Sequence, residues 1–226
     1  MALLNRLTIR TRLMVLVGCA AIVMLVISSL GIYAMKSAEA SLKTVYEDRL
    51  IPTGQISRII GLMRENRTQL LFALQHDPGS KTAKMHEHSI SLHLDRVDKN
   101  IETITLVWKE YMATYLTPDE KKLAEEFAKK RTHFVNNGLR PAMKYLGDGD
   151  YFNASIHLAR KTNPAFQSAH DVAEELWQLQ LDVAKAAYED AIKRDHEISI
   201  IAVVLMLVGI GLSLIHISEP TRPLHI

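Results

Sequence analysis

The chain has 226 residues, 48% of them hydrophobic and 23% charged, with 27 basic and 25 acidic side chains. A net charge of +2 with the signs interspersed gives no electrostatic basis for nucleic-acid binding. The single cysteine, Cys19, excludes a disulfide framework within the chain, so its stability must come from packing.

Residues 1–12 carry Arg6, Arg10 and Arg12 and no acidic side chain. Leu13 to Met35, LMVLVGCAAIVMLVISSLGIYAM, then runs 23 residues without a charge. At a rise of ~1.5 Å per residue, a helix of that length crosses a hydrocarbon core of ~30 Å. After it the signs mix, with Lys36, Glu39, Lys43, Glu47 and Asp48. Basic flanks are retained on the cytoplasmic side, which predicts residues 1–12 inside, 13–35 in the membrane and the chain from 36 outside. A cleaved signal peptide is the competing reading, but its apolar core would be only about 7–15 residues with small residues beyond it. Here Ser28, Ser29 and Gly31 lie within the run, so the segment is read as an uncleaved anchor.

From Lys36 to His76 the pattern is helical, with Leu42, Tyr46, Ile56, Ile59, Ile60, Met63, Leu70 and Leu74 on one face. Pro52 predicts a kink near Leu50–Ile51. Asp77-Pro78-Gly79-Ser80 is a stop, and Ser80 is placed to cap the next helix. A second helix is predicted from Lys81 to Tyr115. Its residues Ile90, Leu94, Val97, Ile101, Ile104, Trp108, Tyr111 and Tyr115 alternate in steps of four and three. Such a heptad seam requires a partner helix close to parallel or antiparallel.

Thr117-Pro118-Asp119-Glu120 reads as a helix start, with Thr117 as N-cap, Pro118 first and Glu120 closing a capping box. The third helix carries Leu123, Phe127, Phe134, Leu139 and Tyr145, its later half weakened by Gly138 and Pro141. Gly147-Asp148-Gly149-Asp150 is the next turn. The fourth helix runs from Tyr151 through Phe152, Ile156, Phe166, Ala169, Ala173, Leu176, Gln180, Val183 and Ala187, with a bend predicted at Pro164. No segment shows strand alternation or a hairpin turn.

Ile198 to Ile215 is uncharged over 18 residues and reads as a second crossing, residues 198–215, that returns the chain to the cytoplasm. Two spans use about 40 residues and leave roughly 160 for one outside domain, ample for a buried core. The expected fold is all-α: a membrane-anchored, antiparallel up-down-up-down four-helix bundle over residues 36–197. Its first and last helices continue into the two transmembrane helices. Residues 216–226, HISEPTRPLHI, have two prolines and no stripe, and read as translated adaptor or vector sequence. The natural chain is expected to continue past Gly211.

No Gly-rich phosphate loop, nucleophile elbow or zinc-deaminase pattern is present, so no catalytic residue and no cofactor is expected. His86, His88 and His93 stand at spacings of two and five. On a helix these point in different directions, unlike the i, i+4 pairs of helical zinc sites, so a solvated surface and no metal are expected. Arg58, Arg64 and Arg67 lie on the first outside helix. Arg64 and Arg67 share neighbouring faces and are placed to hold a carboxylate in a bidentate fork. A solvated face, or pairing with Glu65 and Asp77, is the competing reading. Thr162 and Asn163, just before the Pro164 bend, are the matching polar candidates on the last helix.

A basic N-terminus, a span, a four-helix outside bundle and a second span resemble the N-terminal half of bacterial methyl-accepting chemotaxis proteins. LTIRTRL, TVYEDRLIPTGQISRI, LMRENRTQLLFAL and YLGDGDYFNA resemble that family locally. The resemblance covers about residues 1–212. It implies a homodimer in the bacterial inner membrane that binds a small amino or organic acid, or a ligand-loaded periplasmic binding protein, between subunits. Where such receptors hold aspartate, arginines on the first helix and a threonine on the fourth do so. Arg67 falls on the first arginine position and Thr162 on the threonine. The later arginine positions fall on Phe72 and His76, a departure from the aspartate pattern. The resemblance further implies a cytoplasmic part, outside this chain, that acts on a coupling protein and a histidine kinase. Membrane histidine kinases and diguanylate cyclases use the same kind of sensor and are the alternative reading.

Overall fold

A computed structural model describes residues 8–218, and all the regular elements among them are helical. They divide into two units, Val45–Lys185 on one side and residues up to Thr44 together with those from Ala186 on the other. The latter unit is made of helix α1 (Ile9–Val45) and the C-terminal part of helix α7 (Asn163–Ser218). These helices approach closely where a Cβ on Gly209 would stand 3.3 Å from Val23 Cγ1. Arg194 Nη2 donates to Ser41 Oγ at 2.9 Å. Apolar side chains in both helices stand open, Leu25 at 67% and Leu207 at 60% exposure. Among the described residues, one helix is long and apolar enough to cross a membrane, its apolar stretch lying near the N-terminus. The predicted tail lies mostly outside the described residues.

The unit Val45–Lys185 holds the core. α2 (Ile51–Leu74) contributes Ile56, Ile59, Met63 and Leu70, all buried as the spacing predicts. Leu42 and Tyr46, expected on the same stripe, are exposed. α3 (Ser91–Met112) packs along α2 through Val97, Ile104, Trp108 and Tyr111, with Ile90, Leu94 and Ile101 half-buried behind them. The heptad seam is therefore real, but it is shorter than expected. Tyr115 falls beyond the end of α3 and is exposed. Trp108 stacks on Tyr111 at 5.2 Å and meets Phe127 at 4.9 Å, which ties α3 to the next helix.

α4 (Pro118–His133) starts on the predicted capping box: Glu120 N donates to Thr117 Oγ1, and Thr117 N to Glu120 Oε2. It passes through a π turn, Phe134–Leu139, into α5 (Arg140–Gly147). The Gly147–Asp150 turn forms as expected, with Gly149 at φ +76 and Asp150 capping α6 (Tyr151–His157) by accepting from Asn153 N. Another π turn, Leu158–Thr162, leads into α7, whose Phe166, Ala169, Ala173 and Leu176 close the core. Deep in it, Gln180 Nε2 donates to the Tyr111 hydroxyl at 3.2 Å. Burial pushes that hydroxyl up to about 12, against the opposing hydrogen bond.

The kink predicted at Pro52, the weakening at Pro141 and the bend at Pro164 take one common form. A π turn ends two residues before each: Tyr46–Leu50, Phe134–Leu139 and Leu158–Thr162. Proline has no N–H for the carbonyl four residues back, and widening the preceding turn lets the helix continue around that gap.

Candidate ligand-binding site

α2 and α7 bring two of the predicted arginines onto one patch. Arg64 is exposed and donates from Nη2 to Glu174 Oε1 at 2.8 Å and from Nε to His170 Nε2 at 3.1 Å. The Arg67 guanidinium lies over the Phe166 ring, 4.5 Å from its centroid. Phe166 in turn tilts against His170 at 5.2 Å. Phe166, His170 and Glu174 are spaced four apart on α7, and Arg64 and Arg67 three apart on α2, so one face of each helix meets the other. Glu65 and Asp77 are the partners that sequence proximity suggests for the arginines. Arg64 instead pairs with Glu174, 110 residues away, a contact that no local spacing reports.

Thr162 is placed differently from the expectation. It is fully buried, and its Oγ1 donates to the Gly138 carbonyl at 3.0 Å. There it clamps the π turns Phe134–Leu139 and Leu158–Thr162 together. The Asn137 carbonyl, which Pro141 cannot bond, lies 3.0 Å from His157 Nε2. Asn163, the first residue of α7, is exposed one turn before Phe166. Arg58 is exposed on α2.

The histidine segment is corrected more sharply. Lys81–Met85 is a short 3-10 turn capped by Ser80, and α3 begins only at Ser91, where Ser89 Oγ accepts from Ser91 N. HEHSISLH therefore lies mostly ahead of the helix, and its spacings of two and five do not fan out around a helix axis. The turn carries His86 and His88 back onto His76 at the end of α2. Spacing alone does not single out His76. The signal that could find it is a fourth histidine one residue before an Asp-Pro-Gly stop.

Farther along the bundle, a cavity of about 160 Å³ is lined by Met63, Asn66, Ile104, Arg131, Phe134 and Leu139. Asn66 is fully buried there with neither amide atom hydrogen-bonded.

The helices of this unit form a bundle in which α2 meets α7 at Arg64 and Arg67, and the chain belongs to a family of ligand-binding domains. Residues 3–184 match the family model of the Tar ligand binding domain homologue. The methyl-accepting chemotaxis protein NahY of Pseudomonas putida is 25% identical over 210 residues, covering 92% of this chain and 36% of that protein. The chain thus spans about a third of its relative's length. No solved structure matches the chain. The resemblance to chemoreceptor sensor domains holds at the level of the family.

Proposed function

We propose that the chain is the sensor part of a two-pass transmembrane chemoreceptor. Residues 13–35 and 198–215 would cross the inner membrane, and residues 36–197 would stand in the periplasm as an antiparallel up-down-up-down bundle that pairs with a second copy. The ligand is a small carboxylate, an amino or organic acid. Arg64 and Arg67 hold it, and Asn163 supplies an amide at the start of α7. Thr162 fixes the helix register behind them.

The observation that carries this reading is the patch in which Arg64 joins α2 to α7. Its guanidinium is already bonded to a carboxylate, that of Glu174. An exposed ion pair of this kind is worth only about 0–1 kcal/mol, so a ligand carboxylate can displace Glu174 at little cost. Displacement removes one tie between α2 and α7 and adds another, which favours a different setting of the two helices. Long packed helices move as rods, so a small slide at the patch reaches their far ends.

The test is a thermal-shift screen of amino and dicarboxylic acids on the full chain in detergent. A true ligand at 100-fold excess over its Kd stabilises by about 2.7 kcal/mol, and the Arg64→Ala/Arg67→Ala pair removes the shift. If no acid moves the melting point, or if the pair leaves the shift intact, the patch is not the ligand site.

A further inference from the structure

His76, His86, His88 and His93 converge at the turn between α2 and α3. His76 stacks on His86 with ring centroids 4.0 Å apart, and His88 meets His93 edge-on at 4.9 Å. One ligating nitrogen from each ring lies within 4.8 Å of the other three. We propose that this turn is a binding site for one divalent first-row transition cation, held by the four imidazoles.

Three further observations support the site. His93 Nδ1 lies 2.6 Å from the Gln69 side-chain oxygen in the buried interior. With Nδ1–H donated there, the lone pair of Nε2 is left for the cluster, the arrangement by which metal-ligating histidines are held in the correct tautomer. His76 Nε2 is buried and has no hydrogen-bond partner. His88 Nε2 and His93 Nε2 face each other at 3.0 Å, so one of them must carry a proton in the metal-free form. A cation receives both lone pairs once His88 moves its proton to Nδ1.

The chemistry of the donors selects the ion. Four neutral nitrogens and no carboxylate suit Zn²⁺, Cu²⁺ or Ni²⁺, and they do not suit Ca²⁺ or Mg²⁺, which need oxygen ligands. Tetrahedral Zn²⁺ with bonds of ~2.0–2.1 Å sets its ligand nitrogens about 3.3 Å apart, so the rings need close by only ~1–1.5 Å. His88 is exposed and His93 buried, which gives the site an open side for entry and a fixed floor. The proposal does not rest on the receptor reading, since it concerns other residues and another class of ligand.

The experiment is a calorimetric titration of the full chain, purified without a histidine tag, with ZnCl₂, and with MgCl₂ as control. One equivalent of Zn²⁺ is expected to bind and Mg²⁺ to produce no heat. His88→Ala, a substitution at an exposed position, should weaken Zn²⁺ by at least about tenfold, and Gln69→Ala, acting through His93, by about 10–100-fold. His86→Ala/His88→Ala should abolish binding. Absence of saturable Zn²⁺ binding overturns the proposal, as does a less than about tenfold loss in His88→Ala. Should the double variant fail to fold, the visible absorption of bound Co²⁺ decides: parent-like bands retained by His88→Ala also overturn it.

Discussion

Arg49 and Glu120 sit 3.1 Å apart with side-chain exposures of 7% and 0%, a charged pair taken almost wholly out of water. Such a pair is favoured where the remaining polar atoms find partners, a condition that Arg49 fails at its buried Nε, which has no hydrogen-bond partner. Glu120 meets that condition, because its second oxygen accepts from Thr117 N to close the capping box. One carboxylate thus starts α4 and fixes the π turn that precedes α2. Arg49→Leu strands a buried charge and is expected to destabilise the protein by about 3–5 kcal/mol. Glu120→Gln keeps the cap but removes the charge, so combining it with Arg49→Leu should cost well under the sum of the single changes. Chemical denaturation of the four proteins measures the coupling. Strict additivity would mean that the two residues do not act as a pair.

The proline-linked π turns set what a helix can do beside its neighbour. At Gly138 a Cβ would meet the Thr162 backbone Cα and the Phe134 ring, each at 3.3 Å. The ring can tilt, but the backbone of the facing π turn has little room to give. Gly138→Ala is therefore expected to destabilise by about 1–3 kcal/mol, read as a lowered melting temperature. Thr162→Val at the facing position should cost about 0.5–1.5 kcal/mol, since it removes the hydroxyl that donates to the Gly138 carbonyl while His157 Nε2 stays 3.2 Å from that oxygen. A Gly138→Ala protein as stable as its parent would show that the turns do not interlock. Much of this layer is legible in the sequence: four helical runs, their turns, the Thr117 capping box and three interrupting prolines all come from local pattern. The form of the interruptions is not. A proline announces a lost hydrogen bond but not whether the chain kinks or widens. Nor does spacing reveal Arg49 with Glu120, Arg64 with Glu174, or His76 with His86, because each depends on how separate segments fold together. The histidine turn misleads for the opposite reason. The stop at Asp77–Ser80 and the Ser80 cap put the helix start at Lys81, ahead of the stripe that opens at Ile90, while Ser80 and Ser89 offer the backbone local hydrogen bonds that hold off α3 until Ser91.

At the scale of the whole molecule, the charge pattern and the exposure of the apolar helices have to agree on one orientation. Three arginines precede the apolar run at Leu13, and the flank after it has mixed signs. That asymmetry predicts the N-terminus in the cytoplasm and α3 in the periplasm. Under the two-pass proposal, apolar side chains such as Leu25 and Leu207, more than half exposed, would face lipid. The orientation is checked with one engineered thiol. Cys19→Ser removes the natural cysteine, and Lys99→Cys puts a thiol at an exposed position of α3. In spheroplasts with an intact inner membrane, a membrane-impermeant maleimide is expected to label this protein as fully as in permeabilised ones. Labelling that appears only after the membrane is opened would put the bundle in the cytosol. The patch at Arg64 would then face the cell's own metabolites, and a receptor for external acids would be excluded whatever the affinity of the site.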